Sequence, residues 1–466
     1  LCLLPSNTRV AGHAPPPRSP LATIGPSLRY SSSSPRLANS QARRCGNPAG
    51  AVVSPPAEEL LIATAETTAS PASGALAPGN APSIGRLESL DVFRGVTIAA
   101  MILVNDPGSW DSIYSPLEHA DWNGWTPTDL IFPFFLFIVG MSMTLSFASR
   151  SRRGATRGSL ALHVVRRSAV IFAIGFFLNG FPYFDLGTIR IMGVLQRIAL
   201  CYLAAGLVYL GVRCNGVAAE DARRERNRVA GLAGMAVALL IGYWALVTFV
   251  PVPGYGAGHL GKEDNLAAYV DRLVMGGHLW SESRTWDPEG LLSTLPAIAT
   301  TLIGILAGEW MRSRAGGSRK ILGLAGAGAC LMLAGQLLHP YFPINKNLWT
   351  STFVLFTGGF AMVLLALCYA VVDLAGWRKW AAPFLVFGRN AIFAFSVSML
   401  VAEMSVDFVF RDSHGVPRTW HSWVYNTLFR TYGSAKNASL AFAVFFVLLM
   451  LVLVWPLDRK KIFIRV

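Results

Sequence analysis

His119 stands in a polar, aromatic-rich stretch, Leu117-Glu118-His119-Ala120-Asp121-Trp122-Asn123-Gly124-Trp125-Thr126-Pro127-Thr128-Asp129, set between two apolar runs. An imidazole with an ordinary pKa of about 6.5 is largely available at neutral pH to take a proton from an attacking amine or hydroxyl, and it can also attack an acyl carbon itself. Asp121 and Asp129 are candidate carboxylates for orienting the ring, although Asp129 can equally cap the following helix from Thr128-Asp129. Asn105 closes the preceding apolar run just before Asp106-Pro107-Gly108. Its neutral amide suits an oxyanion donor, and equally suits the last residue of a helix. A lone histidine in a loop is most often a solvated side chain, so the rest of the chain has to support a catalytic reading.

The helix before this loop begins Leu90-Asp91-Val92-Phe93-Arg94-Gly95. At 100° per residue, Asn105 returns to within about 20° of the face carrying Arg94, roughly 16 Å further along the axis. Asp91 lies one turn before Arg94 and can pair with it, lowering the cost of charge at membrane depth; an interfacial ion pair at a helix start is the plainer alternative. Four more polar groups interrupt apolar stretches: Gln196 with Arg197, Asp287 with Glu289, Asn345-Lys346-Asn347, and Arg389 with Asn390. A charge at the bilayer centre costs at least about 2.5–3.5 kcal/mol on insertion scales, so these groups predict a shared polar cavity, or pairing among themselves.

The elements that hold these residues are membrane helices. Of 466 residues, 53% are hydrophobic and 14% charged, against about 25% charged in soluble domains. Runs long enough to cross about 30 Å of hydrocarbon are centred on 88–105, 128–148, 161–180, 193–212, 229–250, 291–311, 320–338, 350–372, 381–402 and 436–456. The expectation is an all-α polytopic membrane protein of about ten transmembrane helices, the first of them weakest because of Asp91, Arg94 and the early Pro107-Gly108. No internal repeat is evident between the two halves. Residues 1–85, rich in Pro, Ser and Ala, read as a disordered N-terminal extension to a transmembrane domain over 86–466.

Net charge +14 is distributed as a topology signal, not as a nucleic-acid face. Alternate loops carry Arg150, Arg152, Arg153 and Arg157; Arg223, Arg224, Arg226 and Arg228; Arg312, Arg314, Arg319 and Lys320; Arg378 and Lys379; and Arg459-Lys460-Lys461. The positive-inside rule places these loops and both termini in the cytoplasm. The His119 loop then faces outward with two larger polar insertions, 251–289 and 403–436, punctuated by Tyr255, His259, Trp280, Trp286, Trp420 and Trp423. Such aromatics are interfacial anchors or a stacking surface for sugar. The six cysteines form no C-x-x-C pair and the eight histidines no H-E-x-x-H motif, so neither a disulfide framework nor a metal site is indicated.

Taken together, Leu90-Asp91-Val92-Phe93-Arg94-Gly95, His119-Ala120-Asp121-Trp122-Asn123-Gly124 with Asp129-Leu130-Ile131-Phe132-Pro133, Gly193-Val194-Leu195-Gln196-Arg197, Asp287-Pro288-Glu289-Gly290 and Asn345-Lys346-Asn347-Leu348-Trp349 resemble the heparan-α-glucosaminide N-acetyltransferase family. The resemblance covers about 85–466 and includes the family's bacterial sugar-acetylating members. It implies transfer of acetyl from cytosolic acetyl-CoA through the membrane to an amino sugar or glycan on the far side, with no metal. The family's catalytic histidine matches His119 and its asparagine Asn105, with Asp129 as the expected supporting carboxylate. On this reading Arg94, Gln196, Arg197, Asn345 and Lys346 are expected to hold acetyl-CoA, and Asp121, Trp122, Asn123, Asp287 and Glu289 the acceptor. The first helix also resembles the wider class of membrane acyltransferases in which a histidine follows the arginine by eleven residues; here that position is Asn105, which favours the glucosaminide branch.

The expected setting is a bacterial inner membrane, with a homodimer left open and no nucleic-acid partner. Two other functions remain: a transporter or flippase using the polar cavity without acyl chemistry, and a glycan O-acetyltransferase.

Overall fold

The computed structural model describes residues 87–212, 222–431 and 433–464. The expected extension 1–85 lies outside them. Thirteen α-helices are present among the described residues. They are α1 (Glu88–Asn105), α2 (Ile131–Arg152), α3 (Arg157–Gly180), α4 (Val194–Val212), α5 (Ala222–Phe249), α6 (Leu266–Met275), α7 (Thr294–Arg312), α8 (Gly317–Leu338), α9 (Ser351–Cys368), α10 (Ala382–Arg389), α11 (Ala391–Asp407), α12 (Trp420–Val424) and α13 (Ala435–Arg459). A two-stranded antiparallel hairpin, β1 (Val409–Arg411) and β2 (Pro417–Thr419), pairs Phe410 with Arg418 ahead of α12.

Eight helices among the described residues are long and apolar enough to cross a membrane, and a bent pair raises the number to nine. The protein is therefore a polytopic membrane protein. Two of the ten expected spans differ. Helix α1 is continuous, but Glu88, Asp91 and Arg94 give it too much charge to qualify by composition. The expected span 381–402 is two helices, α10 and α11, meeting at 77° beside Asn390, whose φ of −124° and ψ of 41° leave the helical range.

The spans sort into an inner and an outer set. In α2, α4 and α7, 72%, 67% and 78% of the apolar window is covered by protein, whereas α3, α5, α8 and α13 cover only 28%, 28%, 17% and 28%. Helices that are apolar all round and bare on most faces are what lipid solvation permits. With little hydrophobic gain between helices in lipid, close contact depends on small residues. A Cβ on Gly95 of α1 would fall 1.8 Å from the Phe384 carbonyl oxygen of α10, and one on Gly388 would fall 1.9 Å from that of Asp91. Gly140 of α2 and Gly304 of α7 make the same kind of backbone crossing. Helix α1 is thus clamped at its charged end, and it also packs against α2, α9, α11 and α13.

Candidate active site

Asp129 is the third residue of a single 3-10 turn, Pro127–Leu130, that runs into α2. Its Oδ2 accepts the backbone N–H of Thr126 at 3.0 Å, which satisfies a helix-start donor, and that of Ala120 at 3.1 Å. The Thr126 hydroxyl donates at 2.6 Å to the Glu118 carbonyl, tying the loop on the other side of His119 to the same turn. Asp129 is 1% exposed, and its Oδ1 lies 2.7 Å from His119 Nδ1. The two sequence readings of Asp129 therefore merge: one oxygen caps the turn and the other faces the imidazole. A carboxylate accepting on both oxygens fixes Nδ1 as the protonated ring nitrogen and leaves the Nε2 lone pair for chemistry.

Lys346 completes the cluster from the loop before α9. Its Nζ lies 3.1 Å from both ring nitrogens of His119 and 3.7 Å from Asp129 Oδ1. The loop is tightly built. Asn345 donates its backbone N–H to Thr350 Oγ1 at 3.0 Å and accepts that of Leu348 on its side-chain oxygen at 2.9 Å. Trp349 sits fully buried in the left-handed region at φ 52°, a conformation a bulky residue holds only when its surroundings impose it. Two further bonds stitch this loop to the histidine loop: Asn345 Nδ2 to Asn123 Oδ1 at 3.1 Å, and Gly124 N–H to the Ile344 carbonyl at 2.8 Å. Burial, followed by the Lys346 ammonium, pushes the His119 imidazole down to about 4 against the pull of Asp129. His119 is neutral at physiological pH.

Asn105 ends α1, which packs against the Asp129 turn. Along α1, Asp91, Arg94, Ile98 and Met101 line a cavity of about 660 Å³. Asn105 is the next position on that helical stripe, so one face of one helix leads from the cavity to the end nearest the histidine loop. Arg94 donates to Asp91 at 3.1 Å, to the Gly388 carbonyl at 3.0 Å and to Ser142 Oγ at 2.6 Å. The other cationic lining residues are Arg150, Arg152, Arg153, Arg167, Arg312 and Arg389. Ionised guanidinium groups around a cavity of this size suit an elongated polyanion such as a phosphorylated nucleotide carrier. Asp106, directly after Asn105, is buried, which pushes its carboxyl well above the usual range; sequence reading passed over it.

The remaining candidates divide. Of the five residues expected at acetyl-CoA, Arg94 lines the cavity. Gln196 and Arg197 are buried elsewhere, with Arg197 donating to the Gly290 carbonyl at 2.9 Å and to Ser293 Oγ and lying over the Trp349 ring at 5.1 Å. Asn345 and Lys346 belong to the histidine cluster. Of the acceptor candidates, Asp287 takes Arg190 Nε at 2.9 Å and Nη2 at 2.6 Å, and Glu289 takes the same guanidinium. Arg190, which the sequence offers only as a loop cation, is held charged by these two carboxylates despite burial. Asp121 is exposed. Trp122 donates to the Leu260 carbonyl at 2.7 Å and meets the Trp286 ring edge-on at 5.2 Å. The four polar interruptions do not share one cavity: the Arg197, Asp287 and Glu289 groups meet one another, whereas Arg389 pairs with Asp458 at 3.1 Å beside the arginine-lined space.

These features define an integral membrane protein with a histidine–carboxylate–lysine cluster borne on loops and an arginine-lined cavity against the same helix. Residues 86–219 match the family described as heparan-alpha-glucosaminide N-acetyltransferase, catalytic. It is 32% identical over 353 residues to heparan-alpha-glucosaminide N-acetyltransferase of Homo sapiens, covering 66% of this chain and 52% of the relative. It is 30% identical over 354 residues to the Mus musculus protein of the same name, covering 67% and 53%. The chain thus spans about half the length of the relatives it matches.

Proposed function

We propose that the chain is an acetyl-CoA-dependent acetyltransferase that moves acetyl from the cytosolic side of a membrane to an amino sugar or glycan on the other side. The observation that carries this reading is the 2.7 Å pairing of His119 with a buried Asp129 inside the family-matched segment. Asp129 holds Nδ1–H, so Nε2 is the basic atom. It takes the proton from the acceptor amine as nitrogen attacks the thioester carbonyl and returns it to sulfur as the carbonyl–sulfur bond breaks and CoA leaves as the thiol; alternatively Nε2 attacks that carbonyl first, expels CoA, and carries the acetyl group until the amine displaces it. Asn105 supplies an amide donor to the developing oxyanion, an interaction worth about 3–4 kcal/mol in well-studied oxyanion holes.

In this reading Arg94, Arg150, Arg152, Arg153 and Arg167 hold the phosphates of the carrier. These residues line the cavity and sit largely in the loops the positive-inside rule assigns to the cytoplasm, which supports an orientation with both termini inside. The transferase domain runs over 86–466, with 251–289 and 403–436 facing outward beside the histidine loop and supplying, with Asp121, Trp122 and Asn123, the acceptor surface. A bacterial cytoplasmic membrane is the proposed setting.

The test is purified protein in proteoliposomes with radiolabelled acetyl-CoA and glucosamine. Wild type transfers label to the sugar and His119→Ala does not; a fully active His119→Ala protein overturns the assignment. Rapid quench without acceptor separates the two routes, because only the second leaves label on the His119 peptide.

A further inference from the structure

The histidine–carboxylate pair accounts for the base, but not for a buried ammonium beside it. Lys346 is 6% exposed and is brought to His119 from 227 residues away, on a loop built around a left-handed Trp349 and two bonds to the histidine loop. An ammonium has three donors and no acceptor. At 3.1 Å from both Nδ1 and Nε2, the ammonium lies against the ring rather than along the in-plane lone pair of either nitrogen, so it acts on the imidazole through its charge.

We infer that Lys346 is a positioning residue of this site: its ammonium, lying against the ring, keeps His119 unprotonated and leaves the Nε2 lone pair open to an acceptor. A second positive charge on the imidazole would lie about 3 Å from the ammonium, close enough for their repulsion to disfavour protonation of the ring. The charged groups facing His119 among the described residues are Asp129 from its own turn and Lys346 from the loop before α9; the neighbouring Glu118 and Asp121 are exposed. The low position of the imidazole titration agrees with this geometry. The same charge discriminates among acceptors. From its place against the ring it disfavours the ammonium form of an amine arriving at Nε2 and favours the neutral form, which alone has a lone pair to attack with. Lys346 thereby acts on both partners in the transfer, holding the base neutral and admitting a neutral amine.

This inference rests on reading His119 as the reacting group, and its test does not pass through acetyl transfer. Diethyl pyrocarbonate modifies neutral imidazole only. Its rate at the His119 peptide, followed by mass spectrometry of the full-length protein in detergent across acidic and neutral pH, reports the titration of that ring, with the other histidines as internal reference. Wild type is expected to show a midpoint near 4. Lys346→Met and Lys346→Gln are expected to raise it by at least about one pH unit, a tenfold gain in proton affinity, and Lys346→Arg to leave it low. A wild-type midpoint near the ordinary value, or neutral variants that titrate with wild type, overturns the inference. If neither neutral variant folds, Lys346→Arg decides: a low midpoint supports the role of charge and a rise to the ordinary value refutes it. A protein that behaves as expected here yet transfers no acetyl refutes the proposed function alone.

Discussion

The two polar regions of this molecule treat charge in opposite ways. Around His119, cation and anion come in balance: Lys346 lies within 3.7 Å of Asp129, and the imidazole sits between them uncharged. In the cavity beside α1, seven arginines outnumber the three carboxylates that pair with them among the described residues, Asp91 with Arg94, Glu309 with Arg312 and Asp458 with Arg389. A balanced cluster can move a proton without changing its net charge, whereas an excess of guanidinium groups waits for a polyanion to complete it. On the proposed reading one region does the chemistry and the other holds the carrier, and α1 packs against both.

The largest expected effects break the balanced cluster. His119→Ala is expected to lower kcat/KM by about 10³-fold or more, since it removes the base or nucleophile outright. Asp129→Asn leaves the turn capped but can present its N–H₂ to Nδ1 and reverse the ring's tautomer; a fall in kcat of about 10²–10⁴-fold with little change in KM is expected. A variant with wild-type kcat would separate Asp129 from the chemistry. The arginine cavity is expected to respond in the other parameter. Arg150→Gln combined with Arg153→Gln should raise KM for acetyl-CoA about tenfold while kcat falls much less. An unchanged KM would move the phosphate site elsewhere, and an equal loss in kcat would erase the contrast between the regions. The smallest effect belongs to Asn123→Ala, which cuts one bond between the two loops. Worth about 1 kcal/mol, that bond should cost only a few-fold in kcat and a small decrease in thermal midpoint.

Much of this arrangement is legible along the chain because it is local. Apolar runs of about 20 residues reveal the spans, and the eleven residues from His119 to Asp129 hold both partners of the central pair. The arrangement is less legible where partners come from far apart. Lys346 reads as one of the residues holding acetyl-CoA because a lysine in a loop has no local sign of the imidazole it meets. Arg190 reads as a topology charge because Asp287 and Glu289 lie nearly a hundred positions away. The break at Asn390 falls in an apolar run that composition alone extends straight through. Its cause is tertiary: Arg389 is drawn to Asp458, and Asn390 Oδ1 accepts the Ile464 N–H at 3.0 Å. Gly95 and Gly388 carry no pattern until two backbones are seen to cross at them.

The charge that disqualifies α1 as an ordinary span has a consequence for distance. With Glu88, Asp91 and Arg94 in its opening turns and Asn105 at its end, only the stretch from Gly95 to Val104 is apolar. At 1.5 Å per residue that is about 15 Å, near half of the roughly 30 Å of hydrocarbon an ordinary span crosses. On the proposed reading, an acyl group passing along this helix meets an apolar face only about half as long as the hydrocarbon it has to cross.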